Sequence, residues 1–180
     1  MRSNLNSQKQ VTMSNTPTFR VLLQKEQLVF SAAHFITFAG DICECLHGHN
    51  YAVRAEVEGD LDENRYVIDF IAFRDSLAGL IKQLDHHMLL PLHHPSILVE
   101  EQNEEITVRY RSKRWVFPRE DCMLLPIANT TAEEIAWWVA TQLRNKLFAE
   151  IGTRLTMLEI GIDENNGQWG YCRLPWLEQK

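Results

Sequence analysis

The chain has 180 residues, 45% of them hydrophobic, and a formal net charge of −6. That is enough apolar material for one well-cored domain; the acidic balance argues against a general nucleic-acid binder but not against a local anion pocket. No apolar run approaches the ~18 residues needed to span a bilayer, and the four cysteines, two beside histidines and two isolated (Cys122, Cys172), are no disulfide framework, so a reducing cytoplasm is expected.

Residues 1–18 are polar, rich in Ser, Asn and Gln, and lack the apolar stretch of a signal peptide; they read as a disordered tail. A single domain is expected from 19 to 180. Residues 19–34 form the first predicted strand, with Val21, Leu23, Leu28 and Phe30 available to a sheet. After a polar turn through Gly40-Asp41, residues 47–58 alternate again, Tyr51, Val53, Ala55 and Val57 against Arg54, Glu56 and Glu58, which predicts a half-buried strand ended by Gly59-Asp60. The two make a plausible antiparallel pair.

Residues 70–84 carry Ile71, Leu77, Leu80, Ile81 and Leu84 at helical spacing, with Asp69 at the N-cap position. A second helix is predicted over 131–150, with Ile135, Val139, Leu143 and Leu147 on one stripe, Thr130 or Thr131 as cap, and Glu133 and Glu134 in the first turn. A strand over 154–164 puts Leu158, Ile160 and Ile162 on one face, and a weaker strand follows over 169–174. Between the helices, residues 93–128 are too long for a structureless loop. There Ile106, Val108 and Tyr110 alternate with Thr107, Arg109 and Arg111, and Trp115-Val116-Phe117 follows a basic turn, so an inserted β-hairpin is expected. The class is α+β, helices on one face of an antiparallel sheet.

The chemistry concentrates in residues 43–51, where Cys43, Cys45, His47 and His49 crowd together, with His34 upstream. In an extended segment His47 and His49 point to one face, with Cα atoms roughly 6.5–7 Å apart. Three neutral imidazoles without a fourth protein ligand are the donor set of a catalytic zinc, which keeps one position open. Gly48 between them gives backbone room where a metal or ligand approaches. Against this stands the ordinary fate of a strand histidine, which is structural or at the surface. The thiols stay ambiguous: Cys45 shares the histidine face and is a candidate fourth ligand, while a bend would bring Cys43 to the open position instead. Asp85-His86-His87 is either a proton relay or a polar helix end favoured by the helix dipole. Glu164 continues the parity of Ile160 and Ile162, so it is either a buried carboxylate needing partners or the residue after the strand has ended; Asp163 faces the opposite way.

In order along the chain, Phe30-Ser31-Ala32-Ala33-His34, residues 43–51, Val67-Ile68-Asp69-Phe70, Leu84-Asp85-His86-His87, Thr130-Thr131-Ala132-Glu133 and Ile162-Asp163-Glu164 resemble the 6-pyruvoyl-tetrahydropterin synthase / 6-carboxy-tetrahydropterin synthase family. The resemblance implies the tunnelling fold: a four-stranded antiparallel sheet with two helices on one face, joined edge to edge into trimers that stack into a hexamer. It implies zinc on His34, His47 and His49, Cys43 as catalytic thiol, and Asp85 and His86 as its partners in proton transfer. Glu164 would anchor the pterin's amino-pyrimidine edge, with Thr131 and Glu133 nearby. The three residues between Cys43 and His47 resemble the carboxy-forming branch, which converts 7,8-dihydroneopterin triphosphate into 6-carboxytetrahydropterin, acetaldehyde and triphosphate. Alternatives are the biopterin-type synthase, a dihydroneopterin side-chain-cleaving relative, and a non-catalytic zinc- or pterin-binding oligomer whose hairpin docks a partner. The hairpin and Cys45 depart from the compact family pattern.

Overall fold

The computed structural model describes residues 17–40 and 42–177; residues 1–16 of the expected tail and Asp41 of the expected turn lie outside them. In chain order the elements are β1 (Phe19–His34), β2 (Thr37–Phe38), β3 (Ile42–Cys43), β4 (His47–Gly59), α1 (Phe70–Ile81), β5 (His87–Pro91), β6 (Leu98–Gln102), β7 (Glu105–Tyr110), β8 (Lys113–Pro118), β9 (Cys122–Leu125), α2 (Ala132–Ile151), β10 (Leu155–Asp163) and β11 (Trp169–Pro175). One turn of 3-10 helix, Arg119–Asp121, joins β8 to β9.

Alternation builds the central ladder. In β4, Tyr51, Val53, Ala55 and Val57 are almost fully buried, while their neighbours are half-exposed. β1 buries Leu28, Phe30, Ala32 and His34 on the same face, after a register shift between Gln24 and Val29. Phe30 stacks on Tyr51, its cross-strand partner, at a ring separation of 4.6 Å. β10 adds Leu158, Ile160 and Ile162, and both helices cover this face with Phe73, Leu77, Leu80, Ile135, Val139 and Leu143. Burying each such side chain stabilises by about 1.5–3 kcal/mol. Helix α1 starts where the Asp69 carboxylate accepts the Ile71 and Ala72 amides, both at 2.8 Å; α2 starts at the Thr131 hydroxyl and stops at Gly152, whose φ of 68° a side chain would resist.

The expected antiparallel sheet is present as β11-β10-β4-β1, but it continues: β5 and β9 add in parallel beyond β1, giving six strands in mixed order. Met88, Leu89 and Leu90 are buried in succession. A strand covered on both faces has no alternation to reveal it. So the Asp85-His86-His87 cluster is no helix end, since α1 stops at Ile81 and His87 opens β5. The expected hairpin is β7–β8, enlarged by β6 to a three-stranded sheet inserted between β5 and β9. Its apolar face builds a second core in which Ile97, Ile106, Val108 and Tyr110 pack with Phe35, Met88, Leu90 and Cys122.

Candidate metal centre and active site

The β1–β4 register pairs His34 directly with His47, and Ala32 with His49. The three imidazoles therefore meet at one end of the ladder, with ring centroids 4.7–5.2 Å apart and one nitrogen from each within 4.8 Å of the others. Two rings are oriented by the backbone. His34 Nδ1 donates to Thr130 O at 2.8 Å, and His47 Nδ1 donates to Cys45 O at 2.9 Å. Each bond leaves Nε2 as the lone-pair nitrogen, the outer hydrogen bond that prepares a histidine for metal.

His34 is 1% exposed, and its Nε2 is buried with no hydrogen-bond partner. What faces it at 3.2 Å is Glu164 Oε1, which also lies 3.8 Å from His49 Nε2. A lone pair and a carboxylate oxygen cannot satisfy each other without a cation between them. Burial pushes the Glu164 carboxyl above its usual range, against the pull of His49 and His47. Burial also holds His34 down to about 4, past the help of its Thr130 bond, so the ring is neutral and ready to ligate. The residues fit a metal ion. Tyr51 lies beside them, its buried hydroxyl raised in pKa by burial and by the neighbouring Glu164, and its ring 5.5 Å from that of His49.

A Cβ on Gly48 would come 3.1 Å from Ala32 O, so the close approach of the β1 backbone also needs the room this glycine gives. Glu164 is indeed past the strand's end, with its amide on Gln168 O, yet its carboxylate turns back onto the histidines. Neither thiol belongs to the histidine cluster. Cys45 is exposed. Cys43 is half-buried against the second core, and its thiol donates to Glu44 O at 3.5 Å. Burial pushes it up, more than the Lys113 ammonium pulls it down, so it holds its proton at neutral pH.

Asp85 and His86 pair at 3.0 Å, and Asp85 also accepts the Ser31 amide at 2.8 Å. That amide bond, more than His86, holds the carboxyl below its usual range. His86 is 82% exposed at the side chain and adopts φ 61°; it and His49 both line an open cavity of about 660 Å³. Thr131 is engaged as the α2 cap, and Glu133, exposed, reaches the site only as a charge felt by Glu164.

Two residues have site roles beyond the sequence expectation, which gave Thr130 only as a possible cap and Glu44 no role. Thr130, fully buried, orients His34 through its carbonyl and ties Phe35 O through its hydroxyl at 3.0 Å; a carbonyl's role leaves no mark in a sequence. Glu44 places its carboxylate 4.0 Å from His47 Nε2 and its charge reaches Tyr51 and Glu164. Its adjacency to Cys43 was the available signal, because neighbouring side chains leave the backbone in different directions.

Three histidines at the end of an antiparallel sheet backed by two helices define an α+β tunnelling-fold protein with a candidate metal centre. The 6-pyruvoyl tetrahydropterin synthase family matches residues 23–174, and the chain belongs to that family, a family of pterin lyases. A relative from Methanocaldococcus jannaschii, named putative 6-carboxy-5,6,7,8-tetrahydropterin synthase, is 32% identical over 154 residues, 85% of this chain and 93% of the relative. A Pyrococcus furiosus protein named dihydroneopterin monophosphate aldolase is 37% identical over 60 residues, 33% of this chain and 50% of its own. A structure of the Plasmodium vivax 6-pyruvoyltetrahydropterin synthase, described as a catalytic-residue mutant in which a glutamate is replaced by alanine, superposes with a TM-score of 0.82 at 28% identity, covering 89% of this chain and 99% of that one.

Proposed function

We propose that this lyase converts 7,8-dihydroneopterin triphosphate into 6-carboxytetrahydropterin, acetaldehyde and triphosphate, with zinc on His34, His47 and His49. The observation that carries the metal is the pair of backbone-locked imidazoles, His34 and His47, each with Nε2 left free, in a three-histidine group whose ligand nitrogens lie within 4.8 Å of one another. The carboxy-forming branch is supported by the compact Cys43 spacing and by the name of the M. jannaschii relative. Bound zinc would polarise side-chain oxygens of the substrate as a Lewis acid. Glu164 is suited to accept two N–H groups of the pterin's amino-pyrimidine edge, and its burial makes those bonds strong. Cys43, protonated at rest, gives or takes a proton at the side-chain carbons; Asp85 holds the His86 ring that returns it. Thr131 and Glu133, in the first turn of α2, would serve the pterin end of the pocket.

One observation favours a second reading, side-chain cleavage of dihydroneopterin. Glu44, not Cys43, presents its functional group to the histidines, and the P. vivax protein is described with a glutamate as a catalytic residue. Product identification separates the two. Carboxypterin and acetaldehyde from the triphosphate, lost in Cys43→Ala and kept in Glu44→Gln, are expected; a cleaved side chain lost in Glu44→Gln selects the second reading. No turnover of any dihydropterin by the zinc-loaded protein ends both. Edge strands β9 and β11 have no neighbour on their outer sides among the described residues. That supports edge-to-edge assembly into trimers or pairs of trimers, which light scattering measures.

A further inference from the structure

The inserted sheet reaches the active-site segment through one side chain. Lys113, first residue of β8, donates from Nζ to Cys43 O at 3.0 Å and to Glu44 O at 3.4 Å, so a single ammonium holds two successive peptide carbonyls. The lysine is itself anchored. Its Nζ lies 5.9 Å from the Trp115 ring, and Trp115 stacks at 4.6 Å on Phe35, the residue after His34.

Cys43 and Glu44 are adjacent groups able to move protons near the histidines, and their side chains diverge. Cys43 packs against the core built by the insertion, whereas Glu44 faces His47. β3 ends at Cys43, and two successive carbonyls on one ammonium mark a bend at Glu44, because in an extended strand they would point to opposite sides. Across that bend the direction of each carbonyl is still tied to the directions of the flanking side chains. Turning the segment to present the thiol would also turn both carbonyls away from the ammonium. A grip on two carbonyls therefore selects one presentation over the other.

We propose that Lys113 is a positioning residue by which the inserted sheet keeps Glu44 presented to the tri-histidine site and Cys43 withdrawn at rest, and so limits how often the thiol needed for the carboxy-forming reaction is presented. The inference rests on the reading that one of these side chains serves pterin chemistry there. The fold does not depend on this exposed lysine. A balance between two local arrangements does, and the loss of about one hydrogen bond shifts such a balance by about three- to tenfold.

The test is the rate at which iodoacetamide alkylates Cys43 in the zinc-loaded protein, followed by peptide mass spectrometry in a Cys45→Ser background. Lys113→Met is expected to accelerate alkylation by about three- to tenfold, and Lys113→Arg, which keeps the charge and the donors, to restore the slow rate. Loss of the positive charge alone would slow the reaction, because Lys113 favours the thiolate; acceleration is therefore specific to repositioning. An unchanged or slower rate in Lys113→Met overturns the proposal, as does an acceleration that Lys113→Arg shares. With dihydroneopterin triphosphate as substrate, Lys113→Met is expected to raise the carboxypterin fraction of product. Alkylation needs no turnover, so a protein that passes the alkylation test but acts on no dihydropterin sinks the functional reading while leaving the positioning role intact.

Discussion

The core beneath α1 and α2 and the core beneath the inserted sheet are built from different materials. The larger draws on long elements, the 16-residue β1, the 13-residue β4 and the 20-residue α2, each repeating one apolar face many times. The smaller is assembled from strands of four to six residues, β5 to β9, around Phe35. The active-site segment lies between them. Its histidines are placed by the register of the long ladder, and Cys43 is placed by the small core. One set of groups is thus held by a cooperative structure in which a one-residue slip would turn a whole buried face to water. The other is held by a local packing arrangement that a few contacts can alter.

Breaking the ladder's product gives the largest expected effect. His47→Ala removes one of three candidate ligands and should weaken metal binding by more than about 100-fold, since even losses of outer hydrogen-bond partners cost about 10–100-fold; metal titration checks it. Persistent tight binding would move the centre away from the ladder. Next, Leu158→Ala in the larger core is expected to cost about 2–5 kcal/mol in urea unfolding. Ile106→Ala opens a comparable cavity in the smaller core, but leaves metal affinity unchanged while loosening Cys43. If both variants weaken metal binding alike, the division between the cores is wrong.

A smaller effect tests how the larger core reaches the site. A Cβ on Gly170 would sit 2.7 Å from Ala132 Cβ and 2.8 Å from Glu133 N at the start of α2. Gly170→Ala should cost about 1–3 kcal/mol and lower metal affinity too, by shifting Thr130 against His34; calorimetry reads both. The smallest effect concerns pH in the smaller core. His94 Nδ1 accepts the amides of Ser96 and Ile97 at 2.9 and 2.8 Å, and Nε2 meets Thr37 Oγ1 at 2.7 Å. Burial holds its pKa below the ordinary 6.5. A depressed pKa means the unfolded chain takes up the proton first, so this stabilisation is full above pH 6.5 and lost as pH falls through the folded value. The difference in melting temperature between the wild type and His94→Leu should therefore shrink from about pH 7.5 to about pH 5.

The same contrast explains what could be read in advance. Tyr51, Val53, Ala55 and Val57 advertised β4 by period two, and Leu77, Leu80 and Ile81 advertised α1 by period three to four. Met88-Leu89-Leu90 carried no such signal, so β5 and its parallel pairing with β1 and β9 went unseen, and β6 was missed because its residues alternate little. At the site, the grouping of His34, His47 and His49 was legible from parity and from the resemblance. The opposed directions of Cys43 and Glu44 were not weighed, and the roles of the Thr130 carbonyl and Lys113 ammonium depend on contacts across 96 and 70 residues of chain.

By itself the sequence determined which residues share a face, because alternation in a strand and the turn of a helix are local properties of the backbone. It thereby determined the larger core and the three-histidine edge of β1 and β4. Only the tertiary structure decided which nitrogen of His34 and of His47 is free, which carboxylate meets the rings, and which of two neighbouring side chains is withdrawn. Those outcomes turn on hydrogen bonds between distant segments, whose partners are chosen by packing and not by spacing.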